Sequence, residues 1–281
     1  MDRLIKALSN RTRIRMTVVD VTQTAKTLEA RHLCGPVAGR ILAEGVAAVS
    51  LLSGDSGPEE AMLLQVRVDG PVKGVVIEST GAGHLRGYPN EKVLGDLDAQ
   101  LPVRSETGLG QSGTAMIQRS LPGRLLGQTP MPFTPPDFRI LIARYFTQSL
   151  QVPAGVAMAV LADSGGVLSA RALVAERMPD GRPADFVPVL EAIQDGRVNR
   201  LLEADGAIEP LAALFGLDDL EIRETRPLRF QCRCSREKAV GSFSTLTATE
   251  IDAIVQAGKP QHVVCHMCGA DYLISAAEVA R

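Results

Sequence analysis

Two closely spaced cysteine pairs near the C-terminus restrict what the end of this chain can fold into. Cys232 and Cys234 are separated by one residue and Cys265 and Cys268 by two, and these pairs contain four of the five cysteines. Residues two apart in an extended segment point to the same side, so the first pair can face one ion. Gly269 follows the second pair and is free to take the positive φ of a knuckle turn. Four soft thiolates on a foldable loop predict a tetrahedral zinc site.

Structural disulfides and unrelated buried thiols are the alternatives to a metal. The first eight residues, MDRLIKAL, carry charges where a secretory signal has an apolar run. We therefore expect a cytoplasmic protein, and a reducing cytosol favours metal ligation over permanent disulfides. By base rate, a purely structural zinc is the commoner use of such a site.

The surroundings of the cysteines point beyond a purely structural role. Positive charge stabilises thiolates, which strengthens metal binding and also raises the fraction open to oxidation. A lightly covered, thiolate-rich zinc site can therefore respond to peroxide. His262 and His266 are candidate substitute ligands, but four cysteines already saturate zinc. The cations around the first pair are Arg229, Arg233, Arg236 and Lys238.

Composition argues against a nucleic-acid partner and against a membrane protein. The net charge is −2, tryptophan is absent and other aromatic residues are few, so neither a basic field nor stacking platforms recruit nucleic acid. The most apolar stretch, residues 33–52, contains Arg40 and Glu44, which predicts a buried helix and not a membrane span. A nucleic-acid-binding zinc ribbon is kept as the alternative function.

A zinc enzyme is a third hypothesis, which the residues disfavour. Four cysteine ligands leave no open position for a catalytic water, and the four scattered histidines adjoin no recognisable nucleophile motif. The glycines at 108, 110 and 113 match the loose pattern G-x-G-x-x-G, yet no helix-forming run follows them. We interpret them as glycines of a turn or sheet bend, and we expect no enzyme.

The chain divides into three predicted parts, which give an α+β fold. Residues 1–178 are predicted to form a mixed α/β core domain. Residues 179–229 are predicted to form a helical linker, whose short helices must lean on another part of the molecule. Residues 230–281 are predicted to form a zinc-binding redox-switch domain, and a domain of about fifty residues usually needs a metal or disulfides.

Local patterns predict the individual elements. In the last part, Thr247 and Glu250 have capping-box spacing and open a helix that Gly258 ends. Cys34 precedes a Gly-Pro break and is interpreted as a small core residue. Helices are predicted over residues 22–32, 37–52, 137–150, 186–192, 198–202 and 211–215. Strands are predicted over residues 15–20, 62–68, 72–77, 85–88, 156–161, 167–174, 262–264 and 272–274.

The cysteine motifs and several core motifs together resemble one family over essentially the whole chain. The strongest motif is Phe230-x-Cys-x-Cys-Ser235, followed after thirty residues by Cys265-x-x-Cys268 and Tyr272. The chain resembles the bacterial thirty-three-kilodalton heat-shock chaperone family (heat shock protein 33), the redox-regulated holdases. The supporting core motifs, in order, are Gly39-Arg-Ile-Leu-Ala43, Arg86-Gly-Tyr88, Gly108 with Gly110, Tyr145-Phe-x-x-Ser149 and Gly165-Gly-x-Leu168.

The resemblance implies a redox switch. It implies a reduced, inactive state with one zinc ion per chain on Cys232, Cys234, Cys265 and Cys268. It further implies that oxidation joins Cys232 to Cys234 and Cys265 to Cys268, that zinc leaves, and that the C-terminal domain and the linker lose order. The resemblance also implies that the core domain, residues 1–178, binds unfolding client proteins on the apolar surface so exposed, without ATP, and prevents their aggregation under oxidative stress. Oxidised family members also tend to form homodimers.

The energetics of metal binding support such a switch independently of the family. Zinc binding to a four-cysteine site supplies about 10–16 kcal/mol, more than a domain of about fifty residues obtains from its own core. Loss of zinc is therefore expected to unfold residues 230–281 and then the linker helices. A disulfide within either pair closes a very small ring, so it stabilises the chain far less than the metal.

Overall fold

Two β-sheets enclose a buried helix in the computed structural model, which describes residues 1–280. The helices are α1 Thr22–His32, α2 Pro36–Leu52, α3 Ser105–Leu109, α4 Phe138–Arg144, α5 Pro183–Gln194, α6 Arg197–Ala204, α7 Ile208–Leu214, α8 Arg236–Gly241, α9 Ala248–Ala257 and α10 Ala276–Val279. The strands are β1 Arg3–Ser9, β2 Ile14–Asp20, β3 Ala61–Val68, β4 Gly74–Thr80, β5 His84–Pro89, β6 Gly113–Leu121, β7 Arg124–Pro132, β8 Ala154–Asp163, β9 Gly166–Arg177, β10 Leu220–Pro227, β11 Arg229–Phe230, β12 Gln261–Val264 and β13 Asp271–Ile274. Short 3₁₀ turns cover Gly95–Ala99 and Ser242–Thr245.

Helix α2 lies at the centre of the core. Fourteen of its 17 residues are buried, and it contacts strands of both sheets. Pro36 begins the helix, where its fixed φ is already helical and its missing N–H needs no partner. Gly45 allows the second sheet to approach, since a Cβ there would lie 2.5 Å from the Ile77 side chain. Within residues 1–280 no helix is long and apolar enough to cross a bilayer.

The first sheet is apolar on both faces. Its strand order is β10-β1-β2-β9-β8. On its inner face, Leu4 and Val19 join the core cluster around α2. On its outer face, Ile5, Met16 and Leu173 join a second cluster. A sheet with two apolar faces needs a covering layer on each, and the outer layer has to come from another segment.

The helices of the linker supply that outer layer. Phe186 and Val189 of α5, Leu202 of α6 and Leu211 of α7 are buried in the second cluster, against the outer face of the first sheet. The linker therefore has no separate core and leans on the sheet, as its fragmented pattern predicted. The helices expected between residues 183 and 214 are confirmed. The domain boundaries at residues 178 and 229 stay predictions.

The linker differs from the prediction near its end. Residues Leu220–Pro227 form strand β10, which pairs antiparallel with β1 from Arg3 opposite Pro227 to Ser9 opposite Leu220. The helical prediction is wrong there. The segment LEIRETRP has no apolar periodicity, so its strand conformation is set by pairing with a neighbouring edge.

The second sheet carries the C-terminal domain at one edge. Its strand order is β11-β5-β4-β3-β6-β7, and β11 pairs in parallel with β5. Beyond β11, strands β12 and β13 form a separate antiparallel hairpin. The cysteines lie just after β11 and between β12 and β13, so the chain's entry into this domain is fixed by the sheet edge.

Other differences from the sequence prediction concern missed strands, missed short helices and one helix end. Strands β1, β6 and β7 and the short helices α3, α8 and α10 were not predicted. Strand β7 contains Gly127, Pro130 and Pro132, residues that a strand tolerates at a sheet edge and rarely in a sheet centre. The helix predicted over residues 137–150 is an α-helix only from Phe138 to Arg144, and Tyr145–Ser149 form a π-helical turn after it.

Residues 110–112 form the turn between α3 and β6, with Gly108 inside α3 and Gly113 at the start of β6. Gly110 ends α3 with a φ of 80°, and a Cβ there would lie 2.6 Å from the Gly70 nitrogen. The close approach of two chain segments, and not a phosphate cradle, accounts for the glycine.

Candidate metal centre

The four sulfur atoms of the cysteine pairs meet in one cluster. All four lie within 4.8 Å of one another, with 3.8 Å between the sulfurs of Cys232 and Cys265 and 3.4 Å between those of Cys234 and Cys268. Sulfurs bound to one zinc at about 2.3 Å in a tetrahedron are about 3.8 Å apart. A disulfide would need about 2.0 Å. The predicted residues are thus together, and their spacing suits a tetrahedral metal site.

Local backbone geometry explains how each pair faces the cluster. Cys232 and Cys234 follow β11 in an extended segment, so both side chains point to one side. The turn after β12 is closed by the N–H groups of Cys268 and Gly269, which donate to the Cys265 carbonyl at 3.2 and 2.8 Å. Gly269 takes a φ of 70°, as the knuckle prediction required.

The domain around the cluster has a small apolar core. Its hydrophobic cluster contains Ala239, Ile274 and Val279 as buried side chains, with other residues only partly buried against them. Helix α9 begins with the predicted capping box, in which Thr247 and Glu250 exchange hydrogen bonds. Both features contribute far less than a four-thiolate metal site would contribute to a domain of this size.

Main-chain hydrogen bonds dock this domain against strand β5. The Arg229 N–H donates to the Gly83 carbonyl at 2.9 Å and the Gln231 N–H to the Leu85 carbonyl at 3.0 Å. From the other cysteine pair, the Met267 carbonyl accepts from the Gly87 N–H at 3.1 Å. Both cysteine pairs therefore contact the core directly.

Arg31, at the end of α1, contacts the metal cluster from the core side. Its Nε donates to the Cys268 carbonyl at 2.8 Å, and its Nη2 lies 3.9 Å from the Cys268 sulfur. The guanidinium also lies over the Phe230 ring at 4.9 Å. One side chain thus joins α1 to both cysteine-bearing segments.

Arg86 of β5 is the second core cation at the cluster. Its Nη1 lies 3.8 Å from the Cys232 sulfur, while its guanidinium pairs with Glu78 at 2.8 Å. Within residues 1–280, Arg31 and Arg86 are the cations with hydrogen-bond contacts to sulfur. Arg31 lies far from the cysteines in the sequence, and no motif around it indicates a contact with them. Arg86 lies in the Arg86-Gly-Tyr88 motif, whose spacing alone assigns it no role.

The cations predicted to crowd the first pair are directed elsewhere. Arg233 pairs with Glu78 at 2.6 Å and so ties the first cysteine pair to β4. The other three make local contacts: Arg229 with His84, Arg236 with Glu278, and Lys238 with the Arg233 carbonyl. Proximity in sequence therefore did not predict contact with sulfur, because these side chains bind carboxylate, carbonyl and imidazole groups instead.

The candidate histidine ligands lie outside the cluster. His262 pairs with Asp271 at 2.9 Å, and the His266 ring packs against Tyr88 with centroids 6.0 Å apart. The metal-capable group found among residues 1–280 consists of the four cysteines. Four protein sulfurs complete a tetrahedral zinc shell and leave no position for water.

The thiols differ in proton affinity because their surroundings differ. Burial raises the pKa of Cys268 to about 12 and also raises that of Cys265. For Cys232, burial acts in the same direction, but hydrogen bonds from Cys234 and Arg86 outweigh it and lower the pKa to about 7. Four thiolates this close repel one another, and a divalent cation offsets that repulsion.

Tyr272 contacts the cysteine cluster, whereas Cys34 lies apart from it. The Tyr272 hydroxyl donates to the Cys234 sulfur at 3.1 Å, and this hydrogen bond raises the pKa of Tyr272 to about 12. Cys34 lies outside the cluster, partly buried against the core, and burial raises the pKa of its thiol to about 12. Cys34 therefore stays protonated, and its packing against the core agrees with its interpretation as a small core residue.

An Arg31→Ala variant should weaken the docking of the cysteine cluster. The variant loses the hydrogen bond to the Cys268 carbonyl and the contact with Phe230, and a hydrogen bond from a charged group is worth about 1.5–3 kcal/mol. We expect zinc-loaded protein to transfer its metal to a chelator about ten times faster or more. Lys26→Ala, on the exposed side of the same helix, is the control; equal rates in the two variants would contradict the docking role.

The fold and the site define an α+β protein with a small docked domain, whose four clustered cysteines could hold a metal ion. A family model described as Hsp33 protein matches residues 2–275, and the chain belongs to this family. It is 30% identical to the 33 kDa chaperonin of Symbiobacterium thermophilum, over 99% of this chain and 96% of the relative. It is 29% identical to the 33 kDa chaperonin of Thermus thermophilus, over 99% of this chain and 86% of the relative.

A solved structure confirms the predicted α+β fold class. The crystal structure of the 33 kDa chaperonin (heat shock protein 33 homologue) of Thermotoga maritima matches with a TM-score of 0.83. The match covers 99% of this chain and 96% of that one, at 22% sequence identity. The resemblance stated from the sequence motifs is therefore confirmed at the level of family and fold.

Proposed function

We propose that this chain is a redox-regulated, ATP-independent holdase whose four clustered cysteines bind one zinc ion when reduced and sense oxidants. The observation that carries the proposal is the convergence of four sulfurs within 4.8 Å in a domain with so small an apolar core. The ligands are Cys232, Cys234, Cys265 and Cys268. Zinc supplies about 10–16 kcal/mol to the folding of such a domain.

Oxidation of the cysteines removes the ligands of the metal. In each pair, Cys232 with Cys234 and Cys265 with Cys268, two thiolates give two electrons to one hydroperoxide. A sulfur–sulfur bond forms as the oxygen–oxygen bond breaks, and the peroxide oxygens leave as water or alcohol after taking up two protons. The short rings so formed stabilise the chain by much less than the four-ligand site.

Unfolding of the cysteine domain is transmitted to the linker. The residues that follow β10 carry the hydrogen bonds from Arg229 and Gln231 to β5, and these are lost when the domain unfolds. Helices α5 to α7 are short and depend on packing against the first sheet. Once they detach, the outer face of that sheet, with Ile5, Met16 and Leu173, becomes an apolar surface for unfolding clients.

The proposal assigns a separate role to each of the three parts of the chain. Residues 1–178 form the client-binding core, residues 179–229 the linker and residues 230–281 the redox switch. The partners are unfolded or partly folded proteins in the cytoplasm, and the oxidised chain forms a homodimer. The names of the relatives, both 33 kDa chaperonins, support a binding role and not an enzymatic one.

The proposal is tested by oxidation under mild heat. Peroxide should release about one zinc ion per chain, consume four thiols and produce ATP-independent suppression of client aggregation. A Cys34→Ser variant should behave like the parent, because Cys34 lies outside the cluster. Zinc and thiol loss without any gain of anti-aggregation activity would refute the holdase function.

A further inference from the structure

Strand β10 occupies the outer edge of β1 and is held there with little apolar burial, since Leu220 is its one apolar side chain packed against the second cluster among residues 1–280. Strand β10 is the edge strand of the first sheet, and seven of its residues pair with β1, with an irregularity in register between Lys6 and Ala7. The Ile222 side chain is 53% exposed. Main-chain hydrogen bonds, which any extended peptide can offer, therefore supply much of the attachment.

The side-chain contacts of β10 are polar. Lys6 bridges Asp55 and Glu224 at 2.8 and 3.1 Å. Arg226 donates to the carbonyls of Ser53 and Gly54, just after α2, at 3.3 and 3.2 Å. The Lys6 and Arg226 side chains are 13% and 14% exposed, whereas their carboxylate partners Asp55 and Glu224 are 59% and 34% exposed. Pairs that are open to water on the carboxylate side contribute modestly. Strand β10 is thus held by main-chain pairing, a few polar contacts and the two folded segments that flank it.

Both flanking segments are the ones that the proposed switch unfolds. Helix α7 ends at Leu214, upstream of β10, and Cys232 lies five residues beyond Pro227. Strand β1 itself stays in the sheet, because it pairs with β2 from Arg3 to Leu8. Departure of β10 therefore leaves a row of unpaired main-chain groups on a strand that remains folded.

The edge of β1 that β10 vacates lies beside the apolar outer face of the first sheet, which is exposed when the linker helices detach. Residues directly opposite on antiparallel strands point to the same face, and Ala7 lies opposite Ile222 and Ser9 opposite Leu220. Ala7 belongs to the second cluster, and Leu220 packs against it. A strand in place of β10 with apolar side chains at alternate positions would extend this face.

We propose that the oxidised chain holds clients by strand addition: an extended segment of an unfolding protein replaces β10 and pairs antiparallel with β1. The segment's alternate apolar side chains lie on the outer face of the first sheet. The inference rests on the proposed holdase function and specifies how its clients are recognised. In the reduced chain, β10 blocks the site.

The test uses the full chain and synthetic peptides of the length of β10, eight residues. The parent peptide alternates valine and threonine. Two matched peptides keep all of these side chains and carry N-methyl groups on every second amide. In one peptide the methylated amides face one edge of the strand, and in the other they face the opposite edge, so each peptide loses one row of N–H donors. Binding to oxidised and reduced chain is measured by anisotropy, together with amide exchange of residues 3–9.

We expect methylation on one edge of the peptide to weaken binding and methylation on the other edge to leave it unchanged. The parent peptide binds oxidised chain, does not bind reduced chain, and restores the exchange protection of residues 3–9. One methylated peptide binds like the parent, and the other binds at least about tenfold more weakly because its β1-facing donors are blocked. Weakening of both peptides or of neither, or no protection by the parent peptide, overturns strand addition.

An aggregation assay on the same preparation keeps the two proposals separate. If oxidised chain suppresses aggregation but the parent peptide does not bind, strand addition fails and the holdase proposal stands. If aggregation is not suppressed, the holdase proposal fails, whatever the peptides do. Protection of residues 3–9 in peptide-free oxidised chain that disappears on dilution would show that a second copy fills the edge, which also overturns the inference.

Discussion

A Cys268→Ser variant is expected to lose the fold of residues 230–280 while the core stays folded. Cys268 is the most buried of the four cysteines, and serine is a poor zinc ligand that leaves three thiolates unbalanced. The domain cannot replace about 10–16 kcal/mol of metal binding with the cluster around Ala239, Ile274 and Val279. Helix α9 should melt despite its capping box, which contributes only about 1 kcal/mol.

Amide exchange and metal analysis measure this effect. Amides of residues 230–280 should exchange at rates close to those of an unfolded chain, and zinc content should fall well below one ion per chain. Amides of α2 should keep their protection, because the buried residues of the first cluster all precede the cysteine domain, whose Phe230 only packs against the cluster from outside. Cys34→Ser is the matched control and should change neither quantity. A fully protected C-terminal domain in Cys268→Ser protein would show that the metal is not its main support.

A Val189→Asp variant is expected to activate the chain without oxidation. Val189 of α5 is fully buried against the outer face of the first sheet, and an uncompensated buried charge costs on the order of 3–5 kcal/mol. The short linker helices have no other support and should detach. The reduced, zinc-bound protein should then suppress client aggregation with no added peroxide.

The same helix provides the control for this experiment. Val187 is 48% exposed, so Val187→Asp introduces the same charge and the same helix propensity without burying it. That variant should stay inactive until it is oxidised. Zinc content should remain at one ion per chain in both variants, which separates linker release from loss of metal. Equal behaviour of the two variants would contradict the view that the linker covers the client surface.

The elements with strong local signals could be predicted from the sequence. Helix α1 was predicted over its observed range, because good helix formers end at a Gly-Pro break. The capping box at Thr247 predicted the start of α9, and the cysteine spacing predicted the cluster itself. In each case the determining interactions lie within a few residues of one another.

The elements that were missed depend on distant partners. Strand β10 is a charged segment that becomes a strand only beside β1, and β7 carries prolines that a sheet edge alone tolerates. Arg31 reaches a cysteine 237 positions away in the chain. No local sequence pattern predicts such contacts, because they arise from the packing of α1 and β5 against the cysteine domain.

The most direct measurement follows amide exchange of residues 230–280 and zinc content in one sample as peroxide is added. The zinc-dependent account predicts that exchange protection of these residues falls in proportion to the zinc released, while α2 stays protected. Oxidised, metal-free protein whose residues 230–280 kept their original protection would contradict it.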